Sequence, residues 1–396
     1  MILAFLFWLS VLLILYSYFG YPLAVWVLSR FKKVETPTAE YEPTVTLLIA
    51  AYNEAAAIRI KLENALALDY PKEKLQILVT NDGSDDGTVE IVRSFAEQGV
   101  EMVSGAERQG KIMALKRGVE AARGEILVMS DATNAYSPNT IRALVAPFAD
   151  PSVGIASGAK FIPKGDGALG SSEGLYWKYE SWLKKQETKL GNCINVTGEI
   201  YAVRKALFGA PPDTIINDDF YTMMNILKQG YRVVYTPEAR SWERVSQTAA
   251  DEVKRRARIN AGRYQSMSMA SQYLPFDRPL VVWQIVSHKF SRPLVPFAMF
   301  LALLANVLAF FFPTGGAGFF SLSPFWVQVF LILQIAFYAM AFVGRWLTGG
   351  LIGKLFYLPT FLVNSNWAAF QGFMRFASGQ QTTLWERVQR REDPNV

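Results

Sequence analysis

Cysteine and histidine are almost missing from this chain. One cysteine, Cys193, and one histidine, His288, occur in 396 residues. A single cysteine excludes an internal disulfide and a cysteine-rich metal site. A single histidine argues against a Ser-His-Asp triad and against a histidine-ligated zinc. No aromatic-interleaved basic tract, internal repeat or low-complexity run occurs, so nothing marks a nucleic acid as partner. Catalysis, if there is any, rests on Asp, Glu, Lys and Arg.

Apolar residues, by contrast, are abundant: 51% of the chain is hydrophobic and 14% aromatic. They cluster at the two ends, while the middle has the texture of a soluble α/β protein. Residues 2–28 carry no charge, and about twenty residues at ~1.5 Å rise cross a hydrocarbon core of ~30 Å. The segment lacks a basic n-region and a small-x-small cleavage site, so it reads as a span and not as a signal peptide. Arg30, Lys32 and Lys33 follow it, which predicts a cytoplasmic flank and an outside N-terminus. The net charge of +6 fits cytoplasmic faces and anionic lipid.

The pattern predicts an N-terminal span over 1–30, a linker over 31–43 and a cytoplasmic α/β domain over 44–240. Interfacial amphipathic helices follow over 241–290, where Lys254, Arg255, Arg256, Arg258 and Arg263 accompany apolar residues. Two spans are expected within 291–347. Residues 348–396 hold an interfacial or re-entrant helix, with a third span as the alternative, and a basic cytoplasmic tail. Asn364, Ser365, Asn366, Gln371 and Arg375 interrupt that last apolar stretch.

Inside the middle domain, strands alternate with helices. Strands are expected at 45–52, 76–82, 100–104, 126–129, 153–162 and 231–236, with helices between, and 194–208 reads as strand or turn before a helix start. This rhythm argues for a mostly parallel sheet covered on both faces. In such sheets ligands bind beyond the carboxyl ends of strands. Four such ends carry polar residues: Glu54, Asp82, Lys111 and Asp131. Asp131, delivered by the apolar run Ile126 to Met129, serves either as ligand for a cation or as cap of the following turn. Lys111 opens a helix whose N-terminus favours anions. Asp218 and Asp219 sit adjacent at another helix start, where at least one of them is suited to capping.

As an ordered series, AAYNE (50–54), NDGSDDGT (81–88), GKIMALKRG (110–118), SDATNAYSP (130–138), VTGEIYAVRK (196–205), NDDF (217–220), RRARI (255–259) and TLWERVQR (383–390) resemble membrane-embedded glycosyltransferase family 2. Hyaluronan, chitin, cellulose and poly-N-acetylglucosamine synthases share this layout. The resemblance implies an α/β GT-A domain that inverts the anomeric centre of a nucleotide-activated sugar, most often a UDP-sugar. It implies that Ala51, Tyr52, Glu54, Asp82 and Lys111 line the nucleotide pocket and that Asp131 binds Mg2+ or Mn2+. Gly198, Glu199 and Trp385 would lie by the acceptor. Asp219, with Asp218 beside it, would be the general base, and Arg258 with Arg255 would bind the diphosphate.

Two departures stand out. The metal motif of the family is often Asp-x-Asp, and here Thr133 holds the third position. Processive synthases carry Gln-x-x-Arg-Trp, where this chain has Arg255 to Ile259. The reading that follows is a multi-pass enzyme of the inner (cytoplasmic) membrane that builds a cell-surface or extracellular polysaccharide. The alternatives are transfer of one sugar to a lipid-linked acceptor and, more remotely, a catalytically dead membrane scaffold. With so few spans, a secreting synthase would need a second copy or an export partner.

Overall fold

Four parallel strands form the half of the sheet that matters for the site. The computed structural model describes residues 1–35, 40–163, 167–313, 315–347 and 350–381. Strand β1 is Val45–Ala51, β2 Leu75–Asn81, β3 Val100–Ser104 and β4 Ile126–Asp131. They are followed by the short β5 Ala135–Tyr136, then β6 Val153–Phe161, β7 Tyr201–Arg204 and β8 Arg232–Trp242. The sheet order is β3-β2-β1-β4-β7-β6-β8-β5. β1 is buried at every position, as expected of a Val/Leu/Ile run covered on both faces.

The chain leaves β1 towards β2 and β3 on one side and returns on the other side with β4. That reversal of direction opens a crevice at the carboxyl ends of β1 and β4. Register sets what meets there. Ala50 pairs with Asp131 and Ala51 with Asn81, so the residues just beyond Ala51, Asn81 and Ser130 share one sheet edge. The remaining strands depart from a purely parallel plan. β7 runs antiparallel to both β4 and β6, and β5 antiparallel to β8. β8 extends six residues beyond the expected 231–236, through Pro237 and a polar stretch that reads as loop. A register shift between Ser157 and Ala159 lets its second half continue along β6.

This domain belongs to a unit comprising Val25–Glu252 and Ser268–Val282; a second unit comprises Met1–Ala24, Val253–Met267 and Trp283–Gln381. Within the second unit, Ala4, Phe7, Ala302, Ala305, Ala309, Leu322 and Val327 form a buried cluster. Its small alanines let helix backbones approach closely, as membrane helices require in the absence of a hydrophobic drive. Tyr16 and Ser287 share a 2.7 Å hydrogen bond, and Asn366 donates to Tyr18 at 3.0 Å. Both tyrosines lie in a π-helical turn, Tyr16–Gly20. Among the described residues, three helices are long and apolar enough to cross a membrane: Ile2–Phe31, Pro279–Phe311 and Pro324–Val343. Gly350–Ala377 is one helix with Pro359 inside it and is not among the three.

Candidate active site

Two loops are tied together before any ligand is considered. After β1, Asn53 adopts a left-handed φ of 55°, which asparagine tolerates better than most residues. Its side chain donates to Asp85 at 2.8 Å, and the Ala55 amide donates to Asp86 at 3.0 Å. The Glu54 amide donates to the Thr88 hydroxyl at 2.9 Å. Asp85, Asp86 and Thr88 therefore build the turn. Glu54 is buried at the start of the helix Ala55–Leu66 and is not among the residues that line the cleft described below.

Asp82 performs a similar task from beneath. It is 3% exposed. One carboxylate oxygen accepts from the Gln109 amide at 3.1 Å and from Arg117 at the same distance; the other accepts from the Gly110 amide at 2.7 Å. Charge-assisted bonds of this kind are about twice as strong as neutral ones. Asp82 thus fixes the loop that opens the helix Lys111–Ala121. Gly83 lets the two loops cross. Its φ is +73°, and a Cβ there would stand 2.8 Å from the Arg108 amide nitrogen and the Glu107 carbonyl carbon.

The result is a cleft lined by Ala50, Ala51, Tyr52, Asp82, Arg108, Gly110, Lys111 and Ala114. Four of the five residues expected at a nucleotide pocket meet here, and Glu54 does not. Arg108 was not anticipated. Its guanidinium lies 4.1 Å from the centroid of the Tyr52 ring, within cation–π range. The only sequence signal was its place in a charged loop before Gly110.

We predict that Gly83→Ala costs about 1–2 kcal/mol from backbone conformation alone, with loop displacement on top. Nucleoside diphosphate affinity should fall about tenfold, by calorimetry, because Arg108 and Gly110 move with the loop. Parent-like affinity would show that the cleft does not depend on this crossing.

At the far side of the cleft stands a chain of charges. The Lys111 ammonium is 2.9 Å from Asp131 and 3.9 Å from Asp218, with all three side chains one-fifth exposed or slightly less. Burial pulls the Lys111 pKa down. The charges of Asp131 and Asp218, the hydrogen bond to Asp131 and the charge of Asp219 outweigh burial and hold it above the usual lysine range. Lys111 is therefore a permanent cation between the carboxylates. Asp218 and Asp219 begin the helix Asp218–Lys228, and Asp219 accepts from the Phe220 amide at 2.7 Å.

Gly198 sits against this helix start. A Cβ on it would lie 3.0 Å from an Asp219 carboxylate oxygen. The bare backbone of the 197–199 loop thus leaves room at Asp219. Its neighbour Glu199 turns the other way. It is 6% exposed, accepts from Ser241 at 2.9 Å and pairs with Lys160. Burial, with Glu243 adding to it against Lys160, pushes its pKa up to about 7. Its carboxylate is held inside the domain and is not presented to an acceptor.

Arg255 and Arg258 lie on the helix Ala249–Ser268, in the segment Val253–Met267 of the second unit. Trp385 falls outside the described residues. The buried Lys61, Lys160 and Glu243 were missed, because a charged residue in a strand or helix pattern reads as a solvated one.

Residues 46–209 match the family model described as glycosyl transferase family 2. The fold agrees. The mannosyltransferase PcManGT from Pyrobaculum calidifontis, solved with GDP-Man and Mn2+, superposes with a TM-score of 0.71 over 95% of this chain and 99% of that one, at 24% identity. That likeness defines the GT-A fold. Among curated relatives, the poly-beta-1,6-N-acetyl-D-glucosamine synthase of Staphylococcus aureus (strain COL) is 28% identical over 227 residues, covering 56% of this chain and 55% of its own. The synthase of the same name from Staphylococcus epidermidis is 23% identical over 328 residues, covering 79% and 78%. The chain thus spans about half the length of the first of these relatives.

Proposed function

We propose that this chain transfers a sugar, with inversion, from a nucleoside-diphosphate donor to a growing glycan at the cytoplasmic membrane. The observation that carries this reading is the convergence of Lys111, Asp131, Asp218 and Asp219 beside a cleft floored by Ala50 and Ala51. The names of the two staphylococcal relatives support a polysaccharide product, and a UDP-sugar is the proposed donor.

The residues fit a divalent cation. Asp131 ends a strand, is partly exposed and draws an ammonium to 2.9 Å. Among the described residues no group of three or more His, Cys, Asp or Glu could hold an ion. A hard cation such as Mg2+ or Mn2+ would then take its other ligands from the diphosphate and water. When bound, it would supply positive charge to the departing diphosphate.

The chain's own groups do the rest. Asp219 accepts the proton of the acceptor hydroxyl as that hydroxyl attacks the anomeric carbon. Gly198 admits the acceptor to Asp219. Lys111 and Arg108 lend positive charge on the donor side of the cleft. Arg255 and Arg258 are assigned to the diphosphate by their motif alone. The three candidate spans would anchor the enzyme, with Arg30, Lys32 and Lys33 on the cytoplasmic side.

The test uses the purified full chain. UDP-glucose, UDP-galactose, UDP-N-acetylglucosamine, UDP-glucuronate and GDP-mannose are screened for metal-dependent nucleotide release. One donor should stand out, with products of many sugars under donor excess. One sugar per acceptor would replace polymer synthesis with single transfer. No release from any donor, with Mg2+ or with Mn2+, would sink the transferase reading.

A further inference from the structure

Beneath the end of β4 lies a buried charge cluster that the proposed mechanism does not use. Lys160 on β6 donates to one oxygen of Glu199 and one of Glu243, and the three side chains are 5%, 6% and 0% exposed. The second Glu199 oxygen accepts from Ser241 at 2.9 Å, and the second Glu243 oxygen accepts from Thr133 at 2.7 Å. Asn134 continues the network, donating to Ser241 at 2.8 Å and to the Glu199 carbonyl at 2.9 Å. The parallel pairing of Lys160 with Ser241 in β6 and β8 brings these groups together.

The charge count is informative. Two carboxylates share one ammonium, and burial with the neighbouring Glu243 holds the Glu199 pKa above the usual carboxylate range. The nearby Lys61 ammonium, bonded to Asn134 at 2.9 and 3.0 Å, is itself made costly by burial. Thr133 meets Glu243 with a hydroxyl, which has a proton to give. An aspartate at 133, as the Asp-x-Asp pattern would have it, would bring a second acceptor to Glu243 with no proton between them. It would also set a second negative charge against Glu243, and like charges that close disfavour each other's ionised form.

We propose that Thr133 and Glu243 are a matched pair of positioning residues: Glu243, anchored by Lys160, pins the turn Asp131 to Asn134 through the Thr133 hydroxyl and so sets the place of Asp131. Thr133 is then not a weakened metal ligand but the contact that makes a single metal carboxylate sufficient. The proposal rests on Asp131 as the cation site, and it has a consequence a ligand role for Thr133 would not. Restoring Asp-x-Asp should harm this enzyme, and neutralising Glu243 at the same time should rescue it, because a glutamine there can donate to the new aspartate.

The experiment compares the parent with Thr133→Asp, Glu243→Gln, the double variant and the conservative Thr133→Ser, each as the full chain. Two readouts are taken: the melting temperature without metal, and the Mn2+-dependent gain in affinity for UDP or GDP, whichever the parent binds more tightly, by calorimetry. Thr133→Asp should lose at least tenfold of the Mn2+-dependent affinity and melt lower. The double variant should return to within about threefold of the parent, and Thr133→Ser should stay near it. Thr133→Asp binding as well as the parent, or a double variant no better than Thr133→Asp, overturns the pair. A melting temperature that falls and recovers while Mn2+-dependent affinity never changes reduces the pair to a structural contact and overturns the positioning role. If the parent gains no affinity from Mn2+, the metal site itself falls and the positioning role falls with it, whereas the melting temperatures still report the contact.

Discussion

Asp219→Asn is expected to lower sugar transfer about 10²–10⁴-fold, the usual contribution of a positioned general base. The substitution is close to isosteric. An asparagine can still accept from the Phe220 amide, as Asp219 does at 2.7 Å, so the helix start keeps its geometry. What it loses is the capacity to take a proton. Nucleotide affinity should stay within a few-fold of the parent, because Asp219 faces Gly198 while the cleft lining is formed elsewhere. Labelled-sugar incorporation at saturating donor measures the loss. Asp218→Asn should be milder in chemistry but should loosen Lys111, which it faces at 3.9 Å. A loss below tenfold for Asp219→Asn, with a large one for Asp218→Asn, would exchange the two roles. Metal-dependent release of nucleotide diphosphate that Asp219→Asn abolishes would dispose of the catalytically dead scaffold.

Asp131→Ala should remove the metal-dependent part of the activity, again by about 10²–10⁴-fold, since the charge stabilisation at stake is several kcal/mol and each 1.36 kcal/mol is tenfold. It also strips Lys111 of its closest carboxylate at 2.9 Å. Thr133→Ala should only weaken the enzyme. It deletes one hydrogen bond to the buried Glu243 carboxylate, at a cost of about 1–3 kcal/mol. Direct Mn2+ titration in the presence of nucleoside diphosphate separates the two: Asp131→Ala should bind no measurable metal, and Thr133→Ala should bind it more weakly. Equal loss from both would mean that the turn holds its cation in some other way.

The parallel core was legible because its strands are buried on both faces and so become continuous apolar runs. Val45 to Ala51 and Ile126 to Met129 announce themselves. The same holds for the strand ends. Asp82 after β2, Asp131 at the end of β4 and Lys111 at the helix start that follows β3 all border the cleft or the charge chain beside it, whereas Glu54 after β1 is buried away from it. The halves that were hard to read lack that signature. β7 is four residues long and antiparallel to its neighbours, and the end of β8 passes through proline and polar residues before it delivers Ser241 and Glu243.

Glu199 marks where motif reasoning gave way to packing. By position in the 196–205 series it belongs with the acceptor, yet only its neighbour Gly198 faces Asp219. Residues 197–200 form a turn closed by the Ile200 amide, which donates to the Thr197 carbonyl at 2.9 Å, and the partner that claims Glu199 lies 39 residues away on β6.

The sequence by itself determined the class of fold, the order of the functional segments and the carboxylates available for chemistry, because local periodicity and turn chemistry are written residue by residue. Only the tertiary structure decided which carboxylates are open and which are spent inside. Lys160 on β6, Glu199 before β7 and Glu243 after β8 become one buried cluster through strand pairing. No local pattern records that, since the cost of burying each charge is met by a partner far along the chain.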